Sequence, residues 1–233
     1  MRSILQLLAL PCLMSTALAT VDPLNSGRTL TNWDCCKPAC AWSTSASRSG
    51  ASGSVRVCDK SDNPLSLANG QREDSSCSKK PGGAYLCSDY SPHPVSDNLS
   101  YAFAITNGTT DCCKCFELTW KDGPVAGKKV QVQIINEGGS VNTDTGRDFV
   151  LVTPGGGVGP NSGGCTAQFG GDWGRQYGGV LSREDCASLP SALQGGCYWR
   201  WNWARGDINN WNVSYVPITC PDYHVQISGC SPK

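Results

Sequence analysis

Asp34 is the residue whose neighbours most favour acid–base chemistry. It lies between Trp33 and the pair Cys35-Cys36. Disulfides formed by this pair would hold the carboxylate rigidly, which is what a general base requires. An aspartate in such a segment can also close a loop through an Asx turn. The local sequence alone favours this structural role over a catalytic one.

The composition gives little support to several other kinds of chemistry. The chain of 233 residues has two histidines, His93 and His224, and no G-x-S-x-G motif, so a Ser-His-Asp triad is not supported. The Gly-rich segment 154–159 lacks the Lys-Ser/Thr of a phosphate-binding loop. We expect no metal and no cofactor. The formal net charge is zero, which gives no electrostatic support to a nucleic-acid partner.

Aromatic side chains suggest a different ligand. The chain has 8 tryptophans, of which Trp33 and Trp42 flank the first cysteine cluster, and further aromatic residues crowd the last third. Flat aromatic faces with few charges around them suit stacking on sugar rings. The alternative is that they fill the core, and we expect about half of them to do so.

The first residues have the features of a secretory signal. Arg2 precedes an apolar run from Ile4 to Leu13, and the segment 17–19 (ALA) fits a cleavage site. The run is too short to span a bilayer. We therefore predict a signal peptide over residues 1–19. Residues 20–233 are predicted to form one secreted, monomeric domain with no separate carbohydrate-binding module and no membrane contact.

The cysteines and the sequons fit export. Of the 15 cysteines, 14 lie beyond the predicted signal, an even number that predicts up to seven disulfides. The spacing alone leaves their pairing open. Glycosylation sequons occur at Asn98, Asn107 and Asn212.

Short β-rich segments dominate the predicted secondary structure. They are Tyr101–Thr106, Cys115–Trp120, Lys129–Ile135, Phe149–Val152 and Val213–Thr219. Residues 20–33 are expected to form an extended lead-in. One helix is predicted after Ser182, with Asp185 completing a capping box and Pro190 weakening its second half. The alternating segment Tyr198–Trp203 is expected to bury one face. These elements indicate an all-β body with long disulfide-tied loops.

Six motifs, in this order, resemble glycoside hydrolase family 45, a family of small secreted endo-β-1,4-glucanases. They cover nearly all of the predicted mature chain, and a Cys-Cys pair between Trp-Asp and Lys-Pro is a highly specific signature. The motifs are Trp33–Trp42 (WDCCKPACAW), Cys112–Thr119 (CCKCFELT), Gly123–Lys129 (GPVAGKK), Pro154–Gly159 (PGGGVG), Gly164–Gly171 (GCTAQFGG) and Gly196–Arg200 (GCYWR).

The resemblance implies a six-stranded double-psi β-barrel with short helices and an open groove for a β-1,4-linked glucan. It also implies a disulfide pairing: Cys35–Cys165, Cys36–Cys77, Cys40–Cys112, Cys58–Cys87, Cys113–Cys230, Cys115–Cys220 and Cys186–Cys197. Family enzymes invert the anomeric centre with two aspartates. Asp34 matches the one that activates water.

The position of the second aspartate, the proton donor, falls on Val150. Valine has no proton to give, and Asp148, two residues away on the same strand face, is a displaced substitute only if the strand slips by two residues. A tyrosine and a further carboxylate of the family fall on Asn32 and Ser140. We expect substrate contacts from Asn32, Trp33, Trp42, Ser140 and Tyr177.

Three functions remain open at this stage. The first is hydrolysis of β-1,4-glucan, weakened by the missing donor or rescued by Asp148. The second is a non-catalytic glucan-binding or wall-loosening protein. The third is a hydrolase shifted to another β-glycan, such as xyloglucan, through Asn32 and Ser140.

Overall fold

The computed structural model describes residues 25–107, 110–138 and 146–233. The predicted signal peptide therefore lies outside the described residues. Seven strands are present: β1 (Ser26–Asn32), β2 (His93–Pro94), β3 (Leu99–Thr106), β4 (Cys115–Trp120), β5 (Lys129–Glu137), β6 (Arg147–Val152) and β7 (Trp211–Ile218). Six of them run in the order β3-β5-β4-β7-β1-β6, and a β3–β6 pairing closes the barrel. β2 pairs with β3 outside it. The six-stranded barrel implied by the resemblance is confirmed.

Alternate side chains of the strands point inward and fill the barrel interior. Val130, Val132 and Ile134 alternate along β5 and are fully buried. Phe149 and Leu151 of β6 are buried in the same cluster. Val150 lies between them in sequence and therefore points out of the barrel, towards the loops.

Three sequence predictions differ from the structure. The segment expected as a lead-in contains β1, which is parallel to β6 and antiparallel to β7 and so completes the barrel. The predicted helix is two elements, a 3₁₀ helix at Glu184–Ser188 and α4 (Ser191–Asn202), which begins after Pro190. Proline fixes its own φ and suits the position before a first helical turn. The aromatic segment ends α4, so its period is helical.

The remaining helices are short. They are α1 (Ser43–Arg48), α2 (Leu67–Arg72), α3 (Gly164–Phe169) and α5 (Asp222–Ser228). Besides the 3₁₀ helix before α4, the described residues form two other 3₁₀ segments, Ala39–Ala41 and Ser88–Tyr90. None of the helices in the described ranges is long and apolar enough to cross a membrane.

Disulfides tie the loops to the barrel. All seven pairs implied by the resemblance are present. Most of their cysteines belong to a second apolar cluster, formed by the loops outside the barrel interior. Each link removes conformational freedom from the unfolded chain, typically by about 2–4 kcal/mol. The long loops can therefore hold side chains in fixed positions.

Candidate active site

A row of four side chains crosses neighbouring strands and forms the floor of a groove. Val150 on β6 is paired with Leu30 on β1 and with Ile105 on β3. Ile105 is in turn paired with Asn136 on β5. All four line a groove of about 400 Å³. This volume lies in the range that binds small ligands or a few sugar units.

Residues of the loops and of the end of β1, most of them with amide side chains and one with an aromatic ring, form the groove walls. Few of them are charged, so the groove suits a neutral ligand rich in hydroxyl groups. They include Asn32, Asn161, Gln176, Tyr177, Asn209 and Asn210.

Asp34 enters the groove from the end of β1. Its Oδ1 accepts a hydrogen bond from the backbone N–H of Cys36 at 3.0 Å. Its Oδ2 accepts one from Nδ2 of Asn161 at 3.1 Å. Both flanking cysteines are disulfide-bonded, Cys35 to Cys165 and Cys36 to Cys77. The carboxylate is held on both oxygens and on the backbone next to it.

The backbone at Asp34 is closely packed against Gly164. A Cβ atom on residue 164 would lie 2.3 Å from the carbonyl oxygen of Asp34. Such a contact is too short for any side chain, so glycine is required there. The Gly-Cys-Thr motif therefore supports the site through close packing as well as through a disulfide.

Burial dominates the electrostatics of Asp34. The residue is 6 % exposed. Loss of solvation raises the pKa of its carboxyl group, and the hydrogen bonds from Cys36 and Asn161 oppose that rise. A carboxylate with a raised pKa is a stronger base than an exposed one. This suits removal of a proton from water.

Asp148 lies outside the groove lining. It is 3 % exposed and forms an ion pair with Arg28, with Nε to Oδ1 at 2.7 Å and Nη2 to Oδ2 at 3.2 Å. The strand pairing places Asp148 opposite Arg28 and Val150 opposite Leu30. The residue of this pair that lines the groove is Val150.

Of the five residues expected to contact substrate, the structure places two in the groove lining. Asn32 and Tyr177 line the groove, and Tyr177 is 68 % exposed. Trp33 is buried, and Trp42 lies under the ammonium group of Lys37, 3.1 Å from the ring centroid. Both tryptophans are absent from the groove lining because they pack against protein. Ser140 lies outside the described residues.

Several groove residues were not anticipated from the sequence, and three of them carry groups that could take part in chemistry. Asn161 holds Asp34 across 127 positions of sequence. Glu137 and Asp207 contribute carboxyl groups to the same groove. No local motif marks them, since their proximity arises only when the barrel closes. Among the residues that the structure describes, no cluster of His, Cys, Asp or Glu could hold a metal ion.

The model of Glycosyl hydrolase family 45 matches residues 26–231. The chain belongs to glycosyl hydrolase family 45. It is 41 % identical over 227 residues to "Putative endoglucanase type K" of Fusarium oxysporum, with 92 % of this chain covered. It is 34 % identical over 227 residues to the endoglucanase of Cryptopygus antarcticus, with 93 % of this chain and 95 % of that protein covered. The chain spans 57 % of the length of the Fusarium protein.

A solved family-45 structure has the same fold. The crystal structure of the cellulase from the Antarctic springtail Cryptopygus antarcticus superposes with a TM-score of 0.80 at 33 % identity. The match covers 89 % of this chain and 97 % of the springtail chain. Family-45 membership and the disulfide-tied barrel together support a cellulase-type glycoside hydrolase that is secreted.

Proposed function

We propose that this family-45 protein binds β-1,4-glucan outside the cell as a monomer and hydrolyses it slowly, with inversion. Asp34 activates the water, while position 150, at the centre of the groove floor, has no proton to give. The observation that carries the proposal is the presence of Asp34 and Val150 in the lining of one groove.

Inverting hydrolysis needs two carboxyl groups on opposite sides of the scissile bond, about 6.5–9.5 Å apart. One accepts a proton from the attacking water and the other gives a proton to the departing sugar oxygen. A sugar alkoxide is a poor leaving group, so the second step matters. A positioned general acid contributes about 10²–10⁴-fold, or roughly 2.7–5.4 kcal/mol of barrier. Valine at position 150 cannot donate a proton and so does not lower the barrier in this way.

Asp148 is a poor substitute for the missing acid. Its two oxygens accept hydrogen bonds from the guanidinium of Arg28. Charge-assisted bonds of this kind favour the carboxylate, which has no proton to donate. Protonation would also leave Arg28 without its counter-charge.

Glucan binding is supported by the part of the groove that the missing acid leaves unchanged. The amide-rich walls can exchange hydrogen bonds with sugar hydroxyl groups. Tyr177 offers an exposed aromatic face at the same groove. Binding and cleavage are therefore expected to separate in this protein.

The test is a paired measurement on the mature protein. Calorimetry with cellohexaose should show binding, and a reducing-sugar assay on soluble β-1,4-glucan should show few but detectable new ends. Asp34→Asn should bind cellohexaose and release none. Absence of binding would contradict the proposal, as would turnover in the usual range for family-45 enzymes that is lost on Asp148→Asn.

A second candidate is a shift to a branched β-glycan such as xyloglucan. Asn32 lines the groove, and its Oδ1 is buried without a hydrogen-bond partner among the described residues. The resemblance puts a larger tyrosine at this position, so asparagine leaves space for a side branch. Faster release from xyloglucan oligosaccharides than from cellohexaose would favour this candidate, and loss of that preference in Asn32→Tyr would assign it to this residue.

A further inference from the structure

We propose that Glu137 supplies the proton for the slow cleavage of β-1,4-glucan, in place of the acid absent from position 150. The inference rests on the proposed function and adds a catalytic residue to it. It depends on the place of Glu137 in the groove and on the contacts of its two oxygens.

Glu137 lies at the end of β5, directly after the groove-floor residue Asn136. The pairing of β3 with β5 shifts register between Ala104 and Ile105, so that one extra residue is accommodated on β5. Such bulges turn side chains away from the regular alternation. Consistent with this, both Asn136 and Glu137 line the groove.

The floor row gives the separation between position 150 and the strand that carries Glu137. From Val150 to Ile105 and on to Asn136 are two strand spacings, or about 10 Å between the outer Cα atoms. A glutamate extends one methylene further than an aspartate. A sugar lying across the floor between these strands can therefore receive a proton from the β5 side, whereas the family position would deliver it from β6.

The contacts of Glu137 leave one oxygen without a hydrogen-bond partner among the described residues. This oxygen, Oε2, is buried. Oε1 is 3.7 Å from Nη2 of Arg48, beyond hydrogen-bond distance, and the Arg48 side chain is 54 % exposed. A pair of this kind contributes little. Oε2 is turned towards the protein, and rotation of the carboxyl group about the Cγ–Cδ bond exchanges it with Oε1, so a proton carried by Glu137 can reach a glycosidic oxygen in the groove.

Asp207, another carboxyl group of the groove, has different contacts. Its Oδ1 accepts hydrogen bonds from the backbone and side chain of Asn209 and lies 3.4 Å from Nη2 of Arg200. Its side chain is 63 % exposed. Asp207 is therefore more exposed and makes more hydrogen bonds than Glu137, and its side chain is less free to turn towards a glycosidic oxygen.

The step balances with the residues present. The water oxygen bonds to the anomeric carbon while Asp34 takes one water proton. The bond from that carbon to the leaving oxygen breaks, its electron pair stays on oxygen, and the proton of Glu137 joins that oxygen. Both carboxyl groups then return to their starting states by exchange with solvent.

Comparing two substrates with different leaving groups distinguishes an effect on proton donation from an effect on binding. A dinitrophenyl β-cello-oligosaccharide expels a stable phenolate and needs no acid, whereas cellohexaose does. Glu137→Gln should lower kcat on cellohexaose by about 10-fold or more. It should change KM and the dinitrophenyl rate by less than about 2-fold. Glu117→Gln, the same change on β4 in a side chain that pairs with Lys129 outside the groove, is the matched control and should leave both rates unchanged.

The outcomes are distinguishable. Equal loss on both substrates in Glu137→Gln would assign the residue to folding or binding and overturn the inference. Unchanged cleavage of cellohexaose, or turnover of the dinitrophenyl substrate with none of cellohexaose in the unmodified protein, would overturn it too. In these cases the proposed function stands if Asp34→Asn abolishes dinitrophenyl turnover. No turnover of the dinitrophenyl substrate by the unmodified protein would instead remove the proposed function itself.

Discussion

Replacing Val150 by aspartate would put a carboxyl group at the centre of the groove floor with little change in side-chain size. The new side chain would stand between Leu30 and Ile105 on the neighbouring strands. These apolar neighbours would desolvate the carboxyl group and raise its pKa, as a general acid needs. The perturbation therefore adds the single group that the proposed mechanism lacks.

The magnitude follows from the role of the acid. A full contribution would be about 10²–10⁴-fold in turnover. Proton transfer from Glu137 in the unmodified protein would reduce the gain towards the lower end, so we expect about 10²-fold on cellohexaose. The cost is a polar group placed against apolar side chains, about 1–3 kcal/mol of stability. The seven disulfides leave the barrel able to tolerate that loss.

The assay is release of reducing ends from cellohexaose, with thermal unfolding measured on the same samples. Val150→Asn is the matched control, because it has nearly the same shape and no acidic proton. We expect Val150→Asp to gain turnover and Val150→Asn to remain at the level of the unmodified protein. A folded Val150→Asp variant that is no faster than Val150→Asn would refute the assignment of position 150 as the missing acid.

Three further predictions concern the carboxylates and their partners. Because burial raises the folded-state pKa of Asp34, ionisation of its carboxyl group lowers stability as the pH rises from the unfolded-state pKa, about 3.9, through the folded-state pKa. Asp34→Asn should therefore have a larger free energy of unfolding than the unmodified protein at pH 7, by about 1.4 kcal/mol for each pH unit by which the pKa is raised. The difference, measured by thermal unfolding, should vanish below about pH 3.9. Asn161→Ala removes a hydrogen bond that lowers this pKa, so the acid limb of kcat/KM should move to higher pH; an unmoved limb would contradict the role given to Asn161. Asp148→Asn leaves Arg28 without its counter-charge and should cost up to about 3–5 kcal/mol in chemical denaturation, with unchanged turnover per folded molecule; selective loss of turnover would make Asp148 the acid.

The strands were predictable where one face is buried. Val130, Val132 and Ile134 alternate with polar residues because β5 has one face in the barrel interior. β1 was missed because Gly27 and the threonines of this strand give little hydrophobic signal, although Thr29 is fully buried and its hydroxyl donates to the carbonyl of Ile208. The aromatic alternation near Trp203 was misjudged because a short run of large side chains does not distinguish a strand from a helix end.

The candidate site was predictable only in its signature motif. Asp34 and its flanking cysteines lie together in sequence, so one motif marks them. The partners Asn161 and Glu137 come from distant loops and strands, and only barrel closure brings them to Asp34 or to the groove. Trp33 and Trp42 lie in the same motif, but Trp33 is buried and the ring of Trp42 is in contact with Lys37.

Leaving-group dependence tests the central claim most directly. A series of aryl β-cello-oligosaccharides, from dinitrophenyl to unsubstituted phenyl, varies the need for a proton while the groove contacts stay the same. If position 150 lacks the acid, kcat of the unmodified protein should fall steeply as the leaving phenol becomes less acidic, and Val150→Asp should flatten that dependence. An already flat dependence, with the same slope in both proteins, would contradict the account.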